Sequence, residues 1–229
     1  LTNRTLAKIA DVVTEAFANS FKRLNVRLIG NPVRDDIKNL PSKKLSVIPP
    51  LKVLIFGGSQ GAAILNRLLP DVMSRIPYNL RPQIRHQCGR GRDQALRDSY
   101  RALEVDATVV EFITDMAEAY QWADLVIARA GALTVTELAA SGVPALLIPF
   151  PAAVDDHQTH NAQWLVGFGA AQMMPESQVS IESLASVLTS LVSDPEQLQS
   201  MCNRARSAVH LDAQDRLADI CLSYSKGAT

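Results

Sequence analysis

From Leu51 onward the chain repeats one pattern, a short apolar run, a break, then a helix-length amphipathic stretch. Lys52–Phe56, Gln83–His86, Thr108–Phe112, Leu125–Ala128, Ala145–Pro149 and Ala170–Met173 read as strands. Helical periodicity follows at about 60–76, 92–103, 116–122, 133–140 and 157–168, and again over 180–191, 195–209 and 213–224. Short apolar strands alternating with helices specify a parallel sheet covered on both faces, an α/β Rossmann-like architecture. Right-handed crossovers place the helices, and ligands of such sheets bind beyond the carboxyl ends of the strands. The residues just after each strand are therefore the ones to inspect.

The chain has room for this fold. Its 229 residues are 47% apolar and 20% charged, ordinary for a domain with a packed core. The formal net charge is zero, which argues against a dedicated nucleic-acid binder. Cys88, Cys202 and Cys221 are widely spaced and form no CxxC pair, so reduced thiols are expected. No signal-peptide pattern opens the sequence. The apolar stretch 125–154 is broken by Arg129, Glu137, Gly142 and Pro144, short of the roughly 18–20 residues needed to span a bilayer. Docking on a membrane surface stays open.

Before Leu51, Leu6, Ile9, Val12, Val13 and Phe17 fall at helical spacing and predict an amphipathic helix. Asn25–Ile29 reads as a short strand entering the turn Gly30-Asn31-Pro32-Val33-Arg34. Residues 35–50, with Pro41, Pro49 and Pro50, read as a connecting segment.

Four strand-end loops carry chemistry. Gly57-Gly58-Ser59-Gln60-Gly61-Ala62 lets backbone approach a ligand, and the helix behind it offers free N–H groups to a phosphate. A plain turn with Ser59 as N-cap explains it equally well. It matches neither G-x-G-x-x-G nor a P-loop. Arg129-Ala130-Gly131-Ala132-Leu133-Thr134-Val135-Thr136-Glu137 is a second glycine turn into a helix. Either Thr134 and Glu137 form a capping box, or the helix start faces a diphosphate and Glu137 accepts from a ribose diol. Glu111-Phe112-Ile113 reads as strand termination. In Asp155-Asp156-His157-Gln158-Thr159-His160-Asn161, Gln158 and Asn161 can both donate and accept, as sugar hydroxyls require. An exposed helix face is the plainer reading. His157 and His160 are too few ligands for zinc. His86 and Cys88 read as a strand end, Trp122 and Trp164 as core. The arginines at 85, 90, 92, 97 and 101 read as a solvated face among acids.

Taken in order, these segments resemble the MurG family of bacterial N-acetylglucosaminyltransferases. The resemblance runs from Gly30-Asn31-Pro32-Val33-Arg34 through the Gly57–Ala62 loop with Leu65-Asn66, then Glu111-Phe112-Ile113 with Asp115-Met116-Ala117. It continues through Ala123-Asp124-Leu125, Arg129–Glu137 and Gly142-Val143-Pro144-Ala145 to Asp156-His157-Gln158 with Asn161-Ala162. It implies a GT-B fold of two facing Rossmann-like domains, of which residues 51–210 would be the donor-binding one. Residues 1–24 would then be the end of the acceptor-binding domain, with its last helix near 2–20. Residues 25–50 would connect the domains, and 211–229 would form a helix crossing back.

The resemblance also implies site roles. Ile113 would hold uracil through its backbone and Glu137 the ribose hydroxyls. Ser59 and the turn Ala132, Leu133, Thr134, Val135, Thr136 would take the diphosphate. Gln158 would hold the sugar, and Arg34 would touch the nucleotide, with Gly57, Gly58, Gly131 and Asn161 in support. The implied reaction is inverting transfer of GlcNAc from UDP-GlcNAc to lipid I, giving lipid II, at the cytoplasmic face of the bacterial inner membrane. No cofactor or metal is expected, since no Asp-x-Asp motif is present. The helix start would stabilise the leaving diphosphate instead, and the base would lie in the acceptor-binding domain. The alternatives are a UDP-GlcNAc 2-epimerase or other GT-B UDP-sugar enzyme, or a non-catalytic nucleotide-sugar-binding module.

Overall fold

The computed structural model describes residues 5–18, 26–45, 50–58, 61–151 and 156–225. Six strands form one parallel sheet: β3 (Lys52–Phe56), β4 (Gln83–Gln87), β5 (Ala107–Val110), β6 (Leu125–Ala128), β7 (Ala145–Leu147) and β8 (Ala171–Met173). Their spatial order is β5-β4-β3-β6-β7-β8. The chain builds outward from β3 to β5, returns to lay β6 on the other side of β3, and builds outward again. The crevice between the carboxyl ends of β3 and β6 is thus the topological switch point, where ligands of open α/β sheets bind.

Strand alternation splits the core in two. Val53, Ile55, Leu125 and Ile127 face one side, against α2 (Ala63–Arg75), α3 (Asp93–Ala102) and α7 (Ile181–Val192). Leu54, Phe56, Val126 and Ala128 face the other, against α4 (Met116–Trp122), α5 (Ala132–Ser141) and α6 (His157–Gly167). β6 is buried along its whole length. That explains its unbroken apolar run, since a central parallel strand has no solvent face. Caps fix helix entries: Asp115 accepts from the Glu118 amide at 2.8 Å, and Asp194, ahead of Pro195, from the Gln197 amide at 2.8 Å. α8 (Pro195–Ala205) and α9 (Ala213–Ser225) close the chain, and α9 leaves Leu217, Leu222 and Tyr224 exposed. No helix among the described residues is long and apolar enough to cross a membrane.

Two expectations before Leu51 are corrected. The stretch expected as one amphipathic helix holds a helical turn, closed by the Ala10 amide on the Leu6 carbonyl at 3.0 Å, and then β1 (Val13–Glu15). β1 pairs in parallel with β2 (Val26–Leu28). The β-branched run Val12-Val13-Thr14 favours the pleat. Leu6 and Ile9, which completed the helical pattern, are exposed, so their spacing marked no buried stripe. The supposed connecting segment contains α1 (Asp35–Lys38), whose Ile37 is fully buried in the second core. Residues beyond it are strapped to the domain. Arg206 donates to the Leu40 carbonyl and the Ser42 hydroxyl, Gln199 accepts from the Leu45 amide, and Lys43 pairs with Asp124 at 3.8 Å.

Candidate functional site

The loop after β3 is shaped by close backbone approach. A Cβ on Gly57 would lie 2.2 Å from the Ala62 nitrogen, and one on Gly61 (φ +69°) 2.2 Å from the Cys88 carbonyl oxygen. Only glycine fits either position. The Gly61 amide closes a turn onto the Gly58 carbonyl at 2.9 Å. α2 begins at Ala63 with Ala62 at its N-cap, so the N-cap role considered for Ser59 does not fit these boundaries. Ser59 itself lies outside the described residues.

Across the crevice, α5 starts at Ala132 with Gly131 at its N-cap and no side chain capping it. Its first intrahelical bond runs from the Val135 amide to the Gly131 carbonyl at 2.9 Å. The amides of Ala132, Leu133 and Thr134 are therefore the groups at the positive end of the helix without intrahelical partners. Val135 and Thr136, expected in the same turn, face inward. Val135 is fully buried, and the Thr136 hydroxyl donates to the Ala132 carbonyl at 2.9 Å and accepts from Asn31 Nδ2 at 3.0 Å.

Glu137 is not part of a capping box, because Thr134 sits inside the helix rather than before it. Its carboxylate accepts from the Tyr120 hydroxyl at Oε2 (3.0 Å) and lies 3.4 Å from Arg34 Nε at Oε1. The side chain is 18% exposed, and Arg34 is half exposed. Burial pushes the Glu137 pKa upward, against the Tyr120 hydrogen bond and the Arg34 charge, which pull it down. The fold thus brings together Arg34 and Glu137, which are 103 positions apart in the chain.

The loops after β6 and β7 are tied to each other. The Gln158 Oε1 accepts from the amides of Ala130 (3.2 Å) and Phe150 (3.0 Å), leaving its NH₂ end outside those bonds. Asn161, buried, donates to the Ala130 carbonyl at 3.0 Å. Both sides of the Ala130 peptide are therefore pinned one residue before the α5 N-cap. Arg129 adds a clamp: it donates to the Ile148 and Pro149 carbonyls at 3.1 Å, pairs with Glu176 at 2.5 Å and stacks over Phe150. Asn161 thereby supports the turn from beneath, whereas Gln158 retains a donor end. Asp155 lies outside the described residues, and no cluster of potential metal ligands occurs among the described ones.

Ile113 follows β5 on the segment leading to α4, half-buried against the second core, which includes Tyr120 and Val135, beside exposed Phe112. The Glu111 side chain accepts from the Gly91 amide at 2.5 Å, and its carbonyl from Gln87 Nε2 at 3.0 Å, which fixes this segment. His86 is an interior strand residue bonded to the Tyr100 hydroxyl at 3.0 Å. Trp164 and Trp122, expected as core, are only partly buried against it: Trp164 lies between Phe17 and the exposed Phe168, and Trp122 lies under Arg85. Sequence reasoning missed Tyr120 and the Asn31–Thr136 tie. The signal for Tyr120 was there: a buried tyrosine hydroxyl needs a partner, and Glu137 is the acid on the neighbouring helix.

A glycine-lined switch point thus faces an uncapped helix start, with a partly buried carboxylate on the same helix. Residues 52–217 match the glycosyltransferase family 28 C-terminal domain, and the chain belongs to that family. It is 46% identical, over 230 residues, to the Chromohalobacter salexigens protein named "UDP-N-acetylglucosamine--N-acetylmuramyl-(pentapeptide) pyrophosphoryl-undecaprenol N-acetylglucosamine transferase". That match covers 99% of this chain and 63% of the relative. The Azotobacter vinelandii protein of the same name is 46% identical over 98% of this chain and 64% of its own length. The crystal structure of Acinetobacter baumannii MurG superimposes with a TM-score of 0.79 at 38% identity, covering 96% of this chain and 62% of that one. The chain thus spans a little under two thirds of the relatives it matches. The glycosyltransferase of kitacinnamycin shares the fold, with a TM-score of 0.57 at 20% identity.

Proposed function

We propose that this chain supplies the donor-binding half of an inverting glycosyltransferase that moves GlcNAc from UDP-GlcNAc to lipid I in peptidoglycan synthesis. The observation that carries the reading is Glu137. It is a half-buried carboxylate held by Tyr120 and Arg34 on the helix whose free amides open at the switch point. Its oxygens suit a ribose diol, and the amides of Ala132–Thr134 suit a diphosphate one to two turns away.

In the reaction, an acceptor hydroxyl attacks the anomeric carbon, the bond to the diphosphate breaks, and UDP departs. Charge grows on the leaving oxygens. The α5 amides are already oriented toward it, so no reorganisation is required at the transition state. The Gly57–Gly61 turn brings backbone close to the same phosphates, with Ser59 adding a hydroxyl. Ile113 lines the uracil side and Gln158 Nε2 the sugar side. The acceptor and the general base belong to the part of the relatives that this chain does not span. The site of action is the cytoplasmic face of the inner membrane, where the protein binds peripherally.

Incubating the whole enzyme with labelled UDP-GlcNAc and lipid I tests the reading. Labelled lipid II is the expected product, formed only when the acceptor is added. Acceptor-independent release of an epimerised sugar would contradict it in favour of a 2-epimerase.

A further inference from the structure

Glu137 can grip a diol only if its carboxylate plane is held in one orientation, because the terminal torsion of glutamate is a broad, nearly two-fold rotor. Two groups hold it. Arg34 approaches Oε1 at 3.4 Å from a half-exposed side chain that also lies 4.0 Å from Asp36. Tyr120 donates to Oε2 at 3.0 Å from a ring with no exposed surface, edge-on to Phe56 at 6.2 Å. The arginine is half exposed and shared between two carboxylates. The tyrosine is locked by the core and aims its single proton at one oxygen.

We infer that Tyr120 is a positioning residue for nucleotide selection, fixing the Glu137 carboxylate so that it accepts from a ribose diol. This rests on the reading of Glu137 as the ribose-binding carboxylate. Tyr120 is too deeply buried to touch a ligand, so it acts through Glu137 alone. Burial and the neighbouring carboxylate push its own pKa well up, so the phenol keeps the proton it donates. With one of the four or so lone-pair sites of the carboxylate committed to Tyr120 and another facing Arg34, about two remain for the two hydroxyls. A phenylalanine here would fill the same space and leave the carboxylate free to turn.

The test is calorimetric titration of the 229-residue chain and its Tyr120→Phe variant with UDP and with 2′,3′-dideoxy-UDP, which lacks the diol. The unsubstituted chain should prefer UDP. Tyr120→Phe should weaken UDP binding roughly three- to tenfold while leaving dideoxy-UDP unchanged, so the preference shrinks. Unchanged binding of the dideoxy nucleotide also reports an intact fold. A variant that keeps the full preference, or loses both ligands equally, overturns the role of Tyr120 and leaves the donor site standing. An unsubstituted chain that binds no UDP overturns the donor-site reading, and this inference with it.

Discussion

At the scale of single residues, Glu137 has an observed duty and a proposed one: it satisfies a buried phenol, and it is proposed to accept from a ribose diol. Removing it should therefore do two separable things. Glu137→Ala orphans the Tyr120 hydroxyl and should cost about 1–3 kcal/mol of folding stability in urea. Glu137→Gln keeps an acceptor for Tyr120, so it should fold nearly normally while binding UDP more weakly by roughly 1.5–3 kcal/mol, the worth of a charge-assisted bond. Equal UDP affinity in Glu137→Gln and the unsubstituted chain would contradict the ribose role. The upward shift of the Glu137 pKa adds a pH signature. Diol hydroxyls bind the ionised form more strongly, so affinity should fall as pH drops through the upward-shifted Glu137 pKa. Calorimetry with UDP-GlcNAc at stepped pH checks this, and Glu137→Gln should lack that acid limb. The carboxylate was visible in the sequence; a tyrosine hydroxyl in need of a partner was a general hint, but the pairing itself was not legible. Tyr120 and Arg34 are joined to it only by the packing of α4 and α1 against α5, and no local pattern encodes that packing.

Among the elements, the strand-end loops are where the sequence was most legible. Lys52–Phe56 and Leu125–Ala128 were read to the residue because apolar runs end at glycine or arginine. The same logic failed at Val13–Glu15, where β-branched residues happened to fall at helical spacing, and at Asp35–Lys38, too short a helix to show a period. Two predictions belong here. Gly61→Ala forces a left-handed backbone and sets a Cβ against the Cys88 carbonyl. It should cost more than the ~1–2 kcal/mol of the backbone term alone, seen as a lowered urea midpoint. A neutral substitution would refute the close approach of this loop to β4. The second concerns β4 and α3, joined by His86 and Tyr100. Burial pushes the His86 pKa down to about 3, whereas the unfolded imidazole takes a proton near 6.5. Between those values the unfolded chain binds more protons, so stability falls as pH drops below about 6.5, by about 1.4 kcal/mol per pH unit. Because that is the limiting slope, urea unfolding at about pH 7 and pH 5.5 should show a loss of about 1.3 kcal/mol in the native chain and a smaller one in His86→Gln.

For the molecule as a whole, the decisive fact is strand order. The rhythm of strands and helices announces a parallel sheet, but it does not say that the chain reverses direction between β5 and β6. That reversal puts β3 and β6 side by side, so the loop after β3 and the start of α5 open at neighbouring strand ends. Each loop alone has a plain explanation in turn or cap geometry. Their meeting at a switch point, in a domain of glycosyltransferase family 28, is what favours a nucleotide sugar. The central claim is that this chain holds the donor nucleotide by itself. The direct measurement is calorimetric titration of the folded 229-residue chain with UDP. Saturable one-site binding, weakened in Glu137→Gln, is the predicted result; no heat at millimolar UDP from a sample shown to be folded would contradict it.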